Sequence, residues 1–96
     1  MNKIIKRNKL KYLLHKLKLN NKMFFLQYEK ELGERTEILC KMGLKAFKQG
    51  LDRNYKESDY DSLEVFNISN QSFLQLNSDD IVYLRYNDKR YFLLRD

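Results

Sequence analysis

The sequence predicts an α+β fold, with two or three N-terminal helices followed by a three- to four-stranded antiparallel sheet. Three observations lead there. Leucines early in the chain recur at the spacing of a helix face. Beyond residue 62 the apolar period drops to about two, the signature of half-buried strands. The 96 residues are 43% apolar, enough for one core and a single domain over 1–96.

The elements follow in order. Residues 1–7 read as a basic arm, because Lys3 and Lys6 would fall on the apolar side of the helix that comes next. That helix starts near Asn8, a residue type that caps well. With Leu10 at the front of the wheel, Leu13, Leu14 and Leu17 lie within about 60° of it, flanked by Lys9, Lys11, Lys16 and Lys18. Asn20-Asn21 closes it. A second helical segment is expected from Lys22, with Phe24, Tyr28, Leu32, Leu39, Met42 and Ala46 on one face. Gly33 either ends a first piece, with Thr36 capping the next, or sits inside one long helix at about 1 kcal/mol. Gly50, followed by Leu51, ends the helical half 8–51 in a Schellman pattern.

Residues 52–62 form a polar, acid-rich loop, and the β half covers 63–96. Its expected strands are 63–69, 72–77, 81–86 and 90–95, separated by turn residues at Asn70-Gln71, Asn77–Asp80 and Asn87–Lys89. Gaps this short favour antiparallel hairpins. The last hairpin would place Val82, Leu84, Phe92 and Leu94 on one face. A winged-helix arrangement is a variant, with 81–95 as the wing carrying Arg85, Lys89 and Arg90, but no recognition helix with a tight turn before it stands out.

The net charge of +6 is unevenly spread. Residues 1–22 carry eight Lys or Arg and no acid, residues 23–51 are nearly balanced, and residues 52–96 carry nine acids against six bases. Codon habit accounts for some of the lysine in so Asn-, Ile- and Tyr-rich a chain, but not for the absence of acids before Glu29. One cysteine permits no intrachain disulfide, and charges interrupt every stretch that could act as a signal segment. The expected location is intracellular, in the cytoplasm.

Catalytic constellations are missing. The single His15 and single Cys40 cannot build a zinc site, and Gly33, Gly43 and Gly50 stand alone, without a phosphate loop. His15 lies about 140° from Leu10 and is expected in solvent, while Cys40 is expected as a buried, inert thiol on a helix. Glu57, Asp59, Asp61 and Glu64 lack calcium-loop spacing and read as a solvated loop, and Asp79-Asp80 reads as a turn. The expectation is no enzyme, no cofactor, no metal and no small-molecule substrate.

Two features point to binding. Tyr83, Tyr86 and Tyr91 stand on adjacent expected strands beside Arg85, Arg90 and Arg95, a mixture that holds single-stranded nucleic acid and is also ordinary sheet composition. The basic segment has three readings: a solvated helix face, a polyanion contact, or a contact with an acidic protein or anionic membrane surface, the membrane being the weakest for want of aromatics on the apolar side. The preferred reading is a small non-enzymatic protein contacting DNA or RNA through Lys3, Lys6, Arg7, Lys9, Lys11, Lys16, Lys18 and Lys22, with Arg85, Lys89 and Arg90 from the β half. The alternative is a protein–protein module, an inhibitor or accessory subunit, with exposed apolar residues and lysines meeting carboxylates.

Overall fold

The computed structural model describes residues 2–30, 33–42 and 55–94. Among them are one α-helix, α1 (Arg7–Leu19), and the strands β1 (Asn2–Ile5), β2 (Phe24–Glu29), β3 (Arg35–Met42), β4 (Ser62–Asn67), β5 (Ser72–Asn77), β6 (Ile81–Tyr86) and β7 (Lys89–Leu93). The molecule is therefore mostly β, and the expected α+β class with two or three helices and a three- to four-stranded sheet is corrected.

The error lies in residues 22–42. Phe24, Tyr28, Leu39 and Met42 satisfy a helical period, but Phe24, Leu26 and Tyr28 also alternate, as do Ile38, Cys40 and Met42. The aromatic and β-branched content of these runs favours the strand. They pair antiparallel, Phe24 opposite Cys40 and Leu26 opposite Ile38. Gly33, at φ +76, belongs to the connection between them rather than to a helix end, a backbone conformation that suits glycine. The basic arm is also corrected. Residues 2–5 add β1 to the sheet, parallel to β7, with Ile4 opposite Phe92. The expected helix end at Gly50 and Leu51, together with Leu32, Ala46 and Arg95, lies outside the described residues.

One mixed sheet runs in the order β1-β7-β6-β2-β3-β4-β5. It must curl. Only Ser78–Asp80 separates β5 from β6, yet those strands stand four places apart in the sheet. Flat strands that far apart are about 19 Å away from each other, while a four-residue step spans at most about 14 Å. Bending brings the far strand back toward the middle of the order, and α1 fills the concave side. The β6–β7 turn has positive φ at Asn87 and Asp88, as a two-residue hairpin requires. A bulge in the β2–β6 pairing, between Gln27 and Tyr28, adds local twist.

The core lies between α1 and the inner sheet face. Leu10, Leu14 and Leu17 of the helix meet Phe24, Leu26, Ile38, Cys40, Leu63, Val65, Ile81 and Leu84. Each large apolar side chain buried there contributes about 1.5–3 kcal/mol relative to exposure. The last hairpin is sided differently from expectation. Leu84 pairs with Tyr91 and is fully buried, while Phe92 pairs with Tyr83 and is exposed. Without several N-terminal helices leading into it, that hairpin is an interior part of a sheet and not a wing.

Candidate nucleic-acid interface

The helix sorts its own cations. Arg7 turns inward, and its Nη1 donates to the carbonyl oxygens of Ser78 at 2.7 Å and Ile81 at 2.6 Å. It thus holds the short connection that curls the sheet. Lys11 Nζ donates to Asp61 at 2.6 Å and lies 3.8 Å from Glu57. Its hydrogen bond to Asp61, opposed by desolvation, holds the Lys11 ammonium above the usual lysine range. Arg7 and Lys11 are therefore engaged with partners inside the protein.

Lys18 lies over the Tyr60 ring, 5.6 Å from its centroid, and Lys16 over the Tyr12 ring at 4.7 Å. Lys3, Lys6, Lys9, Lys16 and Lys22 are exposed. Among the described residues none of these five reaches a carboxylate.

His15 is not in solvent. It is buried, with Nδ1 2.7 Å from the Tyr60 hydroxyl. The cause is the expected polar loop: residues 55–61 fold over this side of α1, stacking Tyr55 on Tyr60 at 5.9 Å and setting both against His15. Burial first, then Asp59 and Tyr55, pushes the Tyr60 hydroxyl up to about 12. The acids Glu57 and Asp61 are likewise less free than a solvated loop implied, since they answer Lys11. Cys40 is a buried free thiol, on a strand rather than a helix, and burial pushes it up to about 12.

A second group forms on the outer sheet face. Arg85 stands directly opposite Arg90 across β6 and β7, and opposite Phe25 across β6 and β2. Its guanidinium lies 4.2 Å from the Phe25 ring centroid. Tyr83 and Phe92 pack beside them with ring centroids 5.0 Å apart, and Ile4 of β1 follows Phe92. Of the three tyrosines singled out from sequence, Tyr83 faces outward, while Tyr86 and Tyr91 pack against the core. Phe25 and Phe92 were missed. Their signal was the strand alternation of β2 and β7, which fixes the side only once the register is known. Lys89 is exposed at the hairpin turn, opposite Tyr86.

β1 connects the two groups: Asn2 pairs with Arg90, and Lys6 opens α1 directly after the strand. Among the described residues no group of three His, Cys, Asp or Glu side chains could hold a metal ion. No helix there is long and apolar enough to cross a membrane. Comparison with known protein families, curated proteins and solved structures found no match.

Proposed function

We propose that this chain is a small non-enzymatic nucleic-acid-binding protein, acting alone or inside a ribonucleoprotein or transcription assembly in the cytoplasm. One observation carries the reading: Lys3, Lys6, Lys9, Lys16 and Lys22 project outward from a segment with no acid, and none meets a carboxylate among the described residues. Phosphates are the anions that such spaced ammonium groups engage in number, by releasing condensed counterions. The free, buried Cys40 suits a reducing compartment.

Salt titration tests it. Five phosphate contacts give a slope of log K against log salt of about −4 to −5 on duplex. Fluorescence anisotropy with a labelled oligonucleotide reads this slope, and Lys9→Gln with Lys16→Gln lowers its size by about two. A flat salt response would end the reading.

A second reading is favoured by the apolar side chains left outside. Ile4 is 74% exposed, Phe73 61% and Phe92 41%, as a protein-docking module would present. Pull-down with and without nuclease separates the two, since a protein partner survives nuclease and nucleic-acid bridging does not.

A further inference from the structure

We propose that the outer sheet face around Phe25, Tyr83 and Phe92 is a stacking platform for single-stranded nucleic acid, with Arg85 and Arg90 as its phosphate contacts. This rests on the nucleic-acid reading above and assigns it a substrate form and a second surface.

Three observations converge there. First, Arg85 and Arg90 oppose one another directly in the ladder, an arrangement that destabilises a sheet unless an anion compensates it. Among the described residues no carboxylate pairs with either. Second, the neighbours are flat rings: Tyr83 and Phe92 at 5.0 Å, and Phe25 already beneath the Arg85 guanidinium at 4.2 Å. A ring with a cation on one side presents the pair of groups that hold a base and its phosphate. Third, the platform lies on the outside of a curled sheet. A duplex hides its base faces within its own stack, so only an unpaired strand can lay bases on such a surface.

The charge sign selects this occupant over an apolar protein surface. Acids on the outer face, Glu29, Glu37 and Glu64, sit on β2, β3 and β4, with Glu29 paired to Arg35, and Asp88 lies in the β6–β7 turn. An apolar protein partner would leave both guanidinium groups covered and unpaired, at a desolvation cost.

The test uses the full chain, freed of nucleic acid, with a fluorescein-labelled 15-nucleotide oligothymidylate and a 15-base-pair duplex as probes. The single strand is expected to bind more tightly. Tyr83→Leu with Phe92→Leu lowers single-strand affinity about five- to a hundredfold and leaves duplex affinity unchanged. Tyr83→Phe keeps the stacking surface and binds as the parent does, which separates stacking from a folding defect. Arg85→Gln with Arg90→Gln lowers the single-strand salt slope by about 1.4. In Tyr83→Trp, indole emission is quenched on adding the single strand.

If the leucine variant binds the single strand as the parent does while Lys9→Gln with Lys16→Gln loses it, the platform is wrong and the basic-helix reading stands. If the parent binds neither probe at low salt, both fall. If the parent ignores the single strand but forms concentration-dependent dimers that Phe92→Lys dissolves, the face is an interface between copies and the platform is overturned.

Discussion

The two faces of the sheet are made from the same strands and do opposite work. Leu84 and Arg85 are neighbours in β6, yet Leu84 is fully buried against α1 while Arg85 lies over Phe25 on the outside. β2 repeats the division, with Leu26 inside and Phe25 outside. The inner positions are chiefly aliphatic and sealed by the helix. The outer positions of β6, β7 and β2 mix rings with cations. Because alternate residues point to opposite sides, the inner and outer sets can vary independently along one strand.

The largest expected effect tests the inner side. Leu14→Ala, at a fully buried helix position, loses about 2–5 kcal/mol in urea unfolding. Phe92→Ala on the outer side loses about 0.5 kcal/mol or less. Equal losses would break the comparison. A similar contrast holds among the cations of α1. Arg7→Met abandons two carbonyl oxygens and loses about 2–3 kcal/mol, whereas Lys9→Met changes stability by about 0.5 kcal/mol at most.

Alkali probes the interior more gently. Folding raises Cys40 from 9.0 and Tyr60 from 10.0, each to about 12. The folded state disfavours their ionised forms, so this stability is complete below pH 9.0 and is lost as pH rises from there toward 12. Urea midpoints should fall by the equivalent of about 1–2 kcal/mol between pH 8 and pH 10. In Cys40→Ala the decline begins near pH 10.0, where the tyrosine hydroxyls, Tyr60 above all, resist ionisation in the folded state. At the Lys11–Asp61 pair, Lys11→Met costs about 1 kcal/mol or less, read from the same urea unfolding.

The later strands were legible because turn residues bracket short alternating runs: β4, β5, β6 and β7 fall on or within a residue or two of the expected spans. The leucine stripe placed α1, which starts at Arg7 rather than Asn8. The strands β2 and β3 were misread because Phe24, Tyr28, Leu39 and Met42 fit either period, and only cross-strand pairing decides. β1 carries two lysine-flanked isoleucines and no alternation of its own, so its strand character comes from its partner β7. At the site, exposed Lys9 and Lys16 could be read from the helical wheel. The inward use of Arg7 and Lys11 could not, because their partners lie 71 and 50 residues away in the chain. Nor could Phe25 be joined to Arg85 before β2 was known to be a strand.

The pairing of Asn2 with Arg90 bears on how the molecule reaches its native state. An edge strand whose hydrogen-bonding mate is made so much later must wait with its amides open during synthesis. Ring closure over nearly the whole chain delays the final ladder, so that assembly is governed by a long-range search and not by helix formation. The Arg7 clamp on the Ser78–Ile81 segment spans almost the same interval and is due to lock at that same late moment.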